Sequence, residues 1–400
     1  MDAIKAIFDN FLTFDITTDW KLIVMWAIGG LMIFLAIKKQ MEPSLLLPMG
    51  LGAILVNLPN SGVITRFFHN GIEISEKAYE ELLTSGAEGL EEVEGALSVL
   101  FNAGVANELF PLLLFIGIGA MIDFGPLLSN PKLMLFGAAA QFGIFFTFGM
   151  ASLFGFELND AASVAIIGAA DGPTSIFVAN VLKSNYLSAI IVAAYSYMAL
   201  VPIIQPPVIR LITTKKERTI RMAYEQKSVS KLTRILFPII ITIIVGLFSP
   251  QSVALVGFLM FGNLIRECGV LDNLSETAQK VLANLVTIFL GLTVANTMRA
   301  DDFLQWNTLL ILGLGLIAFI FDTVGGVLFA KLLNLFSKKK INPMIGAAGI
   351  SAFPMSARVI HKMGIEEDNQ NYLLMHAIGV NVSGQVASVI AGGLILALVK

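Results

Sequence analysis

Charge is scarce in this chain. Of 400 residues, 14% are Asp, Glu, Lys or Arg, whereas 56% are hydrophobic; an ordinary globular protein carries roughly 25% charged residues. A chain so poor in charge cannot cover a water-facing surface, so lipid is the expected solvent for most of it. Cysteine is nearly absent as well. Cys268 is alone, which excludes an internal disulfide framework and a thiolate metal cluster. Histidine is limited to His69, His361 and His376, a poor supply for zinc or iron. Net charge is −3, and no basic stripe suggests nucleic acid. The first twenty residues lack a basic stretch leading into an apolar core, so no cleaved signal peptide is expected. There is no Walker loop, kinase signature or lipidation signal.

Long apolar runs are what remains. A membrane-spanning helix needs about 20 mostly apolar residues. Spans are predicted at Lys21–Ile37, Leu45–Leu58, Leu109–Phe124, Leu133–Phe154 and Tyr186–Leu211. Five more follow at Ile235–Phe248, Val253–Ile265, Val281–Thr297, Leu309–Leu332 and Tyr372–Val399. Two further apolar stretches, Ala161–Leu182 and Pro343–Met363, carry small residues and a central proline, Pro173 and Pro354. Proline costs a helix about 3 kcal/mol and glycine about 1, so both should break there. Broken backbone at membrane depth is tolerated only inside protein or beside a water-filled cavity.

Basic clusters prefer the cytoplasm. Placing Lys38-Lys39, Lys215–Arg218 and Lys338–Lys340 inside puts residues 1–20 and the Glu-rich, helical-looking Pro59–Asn107 insert outside. The scheme closes with ten spans and two re-entrant hairpins. Short matches support a repeat: IGAA at 167 and 345, NYL at 185 and 371, FIGIG at 115 against FLGLT at 289. The expected fold is therefore an all-α polytopic membrane protein of two inverted repeats, residues 21–213 and 233–400, joined by a cytoplasmic linker at 214–232. Each half would hold about five spans and one broken hairpin, a pattern that points to a midplane binding site.

Asp171, in GAADGPT, lies at the first break. A carboxylate in a bilayer needs a partner or a job; capping the next half-helix is the plain reading, and ligating a cation the sharper one. Sodium is hard and prefers oxygen donors. Thr174 and Ser175 add hydroxyls, as do Ser351 and Ser356 around Pro354. Arg358 follows as a candidate clamp for an anion, since guanidinium meets carboxylate in two parallel bonds. Asn381, Ser383 and Gln385 in NVSGQVAS are neutral ligands or interhelical hydrogen bonders. Tyr197, in AAYSYMALVP, is a ligand, a proton donor or an interfacial anchor. Asp123, Gln141, Asn180 and Asp322 are weaker candidates.

The motifs GAADGPTSIFVAN, INPMIGAAGISAFPMSARV and NVSGQVASVIAGG, in this order, resemble the beta subunits of sodium-pumping, biotin-dependent decarboxylases, a family acting on oxaloacetate, methylmalonyl-CoA, glutaconyl-CoA or malonate. The resemblance runs over nearly the whole chain. It implies that carboxybiotin on a partner carrier is decarboxylated here, consuming a proton and driving sodium outward. It maps the family's functional positions onto Asp171, Tyr197, Asn342, Gly346, Ser351, Arg358 and Asn381. Catalytic roles would then fall to Arg358, Tyr197 and Ser351, with Arg358, Asn342 and Gly346 binding the cofactor. Sodium would be held by Asp171 and Asn381 with Ser351, Ser383 and Thr174. Implied partners are a biotin carrier subunit, a carboxyltransferase alpha subunit and a small single-span gamma or delta subunit, in a homo-oligomer such as a trimer, in a prokaryotic inner membrane. No A/V-M-K-M biotin-attachment sequence is present, so the biotin would ride on another chain. The rival readings are a secondary sodium/proton antiporter, a sodium-coupled anion transporter, or a scaffold subunit with no transport role.

Overall fold

A computed structural model of the protein describes residues 19–40, 43–223 and 228–399. All but the last two residues of the expected outer segment 1–20 lie outside the described residues, as does part of the linker at 224–227. Helices dominate. Among the described residues, seven are long and apolar enough to cross a membrane: Trp20–Lys39, Pro131–Leu153, Ala189–Ile212, Lys231–Phe248, Asp272–Thr297, Trp306–Phe336 and Leu374–Val399. An eighth span results if Ala96–Ala106 and Leu109–Met121, bent by 61°, count as one. All ten predicted spans fall on helices, but Pro43–Val56 has 14 residues and Val253–Glu267 has 15. At 1.5 Å per residue these reach little more than about 20 Å, short of the roughly 30 Å hydrocarbon layer.

The chain groups in space into two units, residues 1–110 with 287–306, and 111–286 with 307–400. This grouping cuts across the halves 21–213 and 233–400, because 287–306 joins the N-terminal segment. In the first unit, the helices Trp20–Lys39 and Pro43–Val56 pack closely where Gly29 meets Gly50. The insert that follows, expected to be helical in pattern, is helical only in part and also carries a small sheet. Strands β1 (Arg66–His69), β2 (Ile72–Ile74) and β3 (Leu90–Val93) form an antiparallel sheet in the order β2-β1-β3. Asn70 and Gly71 both have positive φ, 54° and 78°, the geometry of a two-residue hairpin turn that Asn-Gly favours. The glutamates that suggested a helix lie partly on strands, with Phe67 paired to Ile74 and Phe68 to Glu73. Only Glu76–Thr84, capped by Ser75, meets the helical expectation among the Glu-rich residues.

The second unit holds the main apolar core, with Phe115, Phe136, Ile144 and Ile166 wholly or almost wholly buried. Both proline-centred stretches are broken, as expected. The first runs as helix Leu158–Ala165, a 3-10 turn Ile166–Ala169, a left-handed Ala170 at φ 52°, and helix Gly172–Val181. The second runs as a 3-10 helix Pro343–Gly349, non-helical residues to the cis bond Phe353–Pro354, and helix Met355–Glu367. The 3-10 helix lies backbone to backbone against Trp306–Phe336: a Cβ on Gly326 would stand 2.1 Å from the Gly346 carbonyl oxygen. Neither backbone can give way alone. Gly326→Ala should therefore cost about 1–3 kcal/mol, the range for overpacking. The detergent-solubilised protein is expected to melt several degrees lower, whereas Gly313→Ala, with open space around it, should melt near wild type. Equal melting of the two variants would show that the close approach carries no stability.

Candidate cation site at the crossing of the two breaks

The two breaks touch. Ser351 donates to the Ala169 carbonyl twice, from its backbone N–H at 3.1 Å and from Oγ at 2.6 Å. Asp171 follows Ala170 in extended conformation, φ −131° and ψ 98°, as the first helix restarts. Its side chain is buried and makes no capping bond to that helix. Instead Oδ2 accepts from Thr174 Oγ1 at 2.6 Å and Ser388 Oγ at 3.3 Å. Among the described residues, no basic side chain forms an ion pair with Asp171.

The helix Leu374–Val399 closes the site. Asn381, Gln385 and Ser388 are spaced i, i+4, i+7 and share one face. Asn381 Nδ2 donates to the carbonyls of Ala348 (3.1 Å) and Ile350 (2.7 Å). Gln385 Nε2 donates to the Ser351 carbonyl. Both amides thus spend their donors on carbonyls freed by the second break, while their oxygens stay buried without a donor partner. The Tyr195 hydroxyl is buried and unpartnered too. Its ring packs on Gly172, where a Cβ would lie 2.3 Å from it. A buried carboxylate with no basic partner among the described residues, in one network with neutral oxygens that lack donors, is a donor set for a hard monovalent cation.

The predicted residues divide accordingly. Asp171, Thr174, Ser351 and Asn381 come together. Ser383 does not join them: its Oγ bonds the Val380 carbonyl at 2.6 Å and faces Gly137, about 200° around the helix from Asn381. Tyr197 donates its hydroxyl to the Leu312 carbonyl. Asn342 is buried and donates to the carbonyls of Arg218 and Ile220 at 2.8 and 2.9 Å. Gly346 supplies the close approach to Gly326. Arg358, in the first turns of helix Met355–Glu367, is exposed and has no acidic partner among the described residues. Of the weaker candidates, Asp322 is buried, its Oδ1 accepting from Ile144 N at 3.2 Å, and Asp123 pairs with Arg234 at 3.7 Å.

Three residues escaped the sequence reading: Ser388, whose hydroxyl reaches Asp171, Tyr195 and Gln205. Tyr195 lies in the same AAYSYMALVP run as Tyr197, and only knowledge of the packed face separates them. Gln205, buried between Pro202 and Pro206, donates to the Ala347 carbonyl at 2.8 Å and accepts from Ser356 Oγ at 2.9 Å. A polar side chain wedged between prolines in an apolar run was the available signal.

Comparison with known proteins adds a second line. A family profile described as "Na+-transporting oxaloacetate decarboxylase beta subunit" matches residues 21–399. The "Methylmalonyl-CoA decarboxylase subunit beta" of Propionigenium modestum is 49% identical over 381 residues, covering 94% of each chain. The "Oxaloacetate decarboxylase beta chain" of Klebsiella pneumoniae is 46% identical over 410 residues, covering 93% of this chain and 94% of that one. The "Probable oxaloacetate decarboxylase beta chain" of Vibrio cholerae is 44% identical over 431 residues, 99% of each.

Proposed function

The chain belongs to the beta subunits of the Na+-transporting decarboxylases, and on that premise we propose that it decarboxylates carboxybiotin held on a partner carrier and couples the release of CO2 to sodium export. It is the multi-pass membrane subunit of such a complex, placed by this reading in a bacterial inner membrane, with a carboxyltransferase alpha subunit, a biotin carrier and a small single-span subunit as partners. The observation that carries the reading is Asp171: a buried carboxylate with no basic partner among the described residues, bonded by the Thr174 and Ser388 hydroxyls, one turn from the amide Gln385 on the helix that carries Ser388. Sodium is the cargo that fits it.

In this mechanism Asp171, Asn381 and Thr174 bind sodium, with Ser351, Ser388 or Tyr195 completing the shell. Sodium entering the cage displaces a proton shared between the carboxylate and a neighbouring hydroxyl. The biotin nitrogen takes up a proton as its bond to the carboxyl carbon breaks and CO2 leaves. Arg358 holds the departing carboxylate beforehand, and Asn342 and Gly346 shape the backbone wall of that cofactor site. Tyr197, about 200° around the same helix from Tyr195 and bonded to the Leu312 carbonyl, is assigned to the proton path on the family resemblance.

The reading also takes both broken segments as re-entrant hairpins of two inverted repeats. In its favour, the ends of each segment meet. Asn159 Nδ2 donates to the Leu182 carbonyl at 3.3 Å, and Asp160 accepts from Ser184 Oγ at 2.7 Å and Asn185 N at 2.9 Å. Asn342 and Asn371, flanking the second segment, both donate to the Arg218 carbonyl.

The test is the complete complex in sealed vesicles, fed its acid substrate. Sodium uptake that rises with CO2 release, together with alkalinisation of the medium, is the expected result. Decarboxylation that proceeds at full rate without sodium, while the chain alone exchanges sodium for protons, would make it a secondary transporter instead.

A further inference from the structure

Helix Met355–Glu367 breaks a rule at its end. Its last residues are Glu366 and Glu367, followed by Asp368, and its last turn has no basic residue. Carboxylates at a helix C-terminus oppose its dipole, so three in a row need compensation from elsewhere. The compensation comes from the segment 210–221. Arg210 pairs with Glu366 at 3.0 Å, Arg218 with Glu367 at 2.7 Å and Arg221 with Asp368 at 2.6 Å. The hydrogen bond from Arg221 holds the Asp368 carboxyl below the usual carboxylate range.

Arg218 differs from its two neighbours. Its pair with Glu367 is largely buried, both side chains being 14% exposed, whereas Arg210 and Arg221 are more than half exposed. Its guanidinium also donates to the Thr213 carbonyl at 2.7 Å. Its own carbonyl accepts from Asn342 Nδ2 at 2.8 Å and Asn371 Nδ2 at 2.9 Å. Asn342 begins the second broken segment, and Asn371 lies just past its end. A capping box of Thr214 and Glu217 stiffens the turn that presents Arg218, and Lys331 pairs with Glu217 at 3.2 Å. One residue therefore grips the leading end, the trailing end and the helix terminus of the segment that carries Ser351 and Arg358.

We propose that Arg218 is a positioning residue, fixing the height and rotation of helix Met355–Glu367 and so the place where Arg358 meets its anion. Glu367 and Arg358 are nine residues apart on one rigid helix, about 13 Å along its axis. A slip at the clamped end is carried to Arg358 undiminished. The kinetic consequence rests on the carboxybiotin reading above; the clamp itself does not.

The complete complex is assayed with Arg218→Glu, with Glu367→Arg and with both. Each single change sets like charges together and should raise the KM for the carboxylated carrier about tenfold, with half-saturation by sodium within about twofold of wild type. The double change reverses the pair and should bring KM back to within about threefold. Amide exchange over residues 355–370 is followed in parallel: faster in each single variant, restored in the double. Unchanged KM in the single variants overturns the proposal, as does a double variant no better than the worse single one. Restored exchange with unrestored KM reduces the pair to a structural role and overturns it equally. If the wild-type complex shows no carboxybiotin turnover, the functional reading fails by itself, and the exchange pattern alone decides the clamp.

Discussion

Replacing Asp171 by Asn is expected to lower sodium-stimulated decarboxylation by more than about a hundredfold, a loss of roughly 2.7 kcal/mol in barrier terms, and to abolish sodium uptake with it. The substitution is nearly isosteric. Its side-chain oxygen can still accept from Thr174 and Ser388, which reach Oδ2 in the native site. The two breaks remain joined through Ser351 and Ala169, so the fold should persist. What disappears is the formal charge. Asn381, Gln385, Ser388, Thr174 and Tyr195 are all neutral, and neutral oxygens alone compete poorly with water for a cation. The checks are radiosodium uptake into vesicles, CO2 release from the same preparation, and the thermal midpoint in detergent with and without sodium. Wild type should gain stability on adding sodium, because a ligand bound only to the folded state stabilises it. The variant should melt normally and gain nothing. Retained uptake in Asp171→Asn would remove Asp171 from the transport path whatever its effect on CO2 release.

Much of this site could be read from residue types alone. Glycine and proline cluster inside both apolar runs, with a carboxylate in the first, and mark Ala161–Leu182 and Pro343–Met363 as broken; proline alone would not do so, since Pro202, Pro206 and Pro207 sit within the continuous helix Leu187–Ile212. The face of the last helix was equally accessible. At about 100° per residue, Gln385 and Ser388 fall within about 40° of Asn381, while Ser383 falls on the far side. Ser388 is the hydroxyl that reaches Asp171, so the helical period could have replaced Ser383 by Ser388. The insert is a different failure. Its glutamates suggested a helix, but Asn70-Gly71 between short apolar runs is a hairpin signal that outweighs composition. Tyr195 and Arg218 were out of reach for another reason. Tyr195 is distinguished by packing on Gly172, and Arg218 by its backbone carbonyl. Neither contact leaves a pattern in the order of side chains. Lys215–Arg218 read as a topology signal because charge count is visible in sequence and the direction of a carbonyl is not.

Arg358→Ala separates chemistry from transport. The side chain is exposed and unpaired among the described residues, so its removal leaves no buried charge and should cost little stability, within about 0.5 kcal/mol. Turnover is another matter. A charge-assisted hydrogen bond contributes on the order of 1.5–3 kcal/mol, and a bidentate grip on a carboxylate lies at the upper end or above. Decarboxylation is therefore expected to fall about a hundredfold. Arg358→Lys should recover only part of the loss, since an ammonium cannot reproduce the two parallel bonds of the fork. Asp171 and its neighbours are untouched, so stabilisation by sodium in detergent should match wild type in both variants. That combination, lost CO2 release with sodium binding intact, is the mirror image of the result expected for Asp171→Asn and places the two residues at separate ends of one coupled process. Sodium stabilisation lost together with decarboxylation would mean that Arg358 acts through the cation site, and the anion clamp would have to be sought elsewhere on the second broken segment.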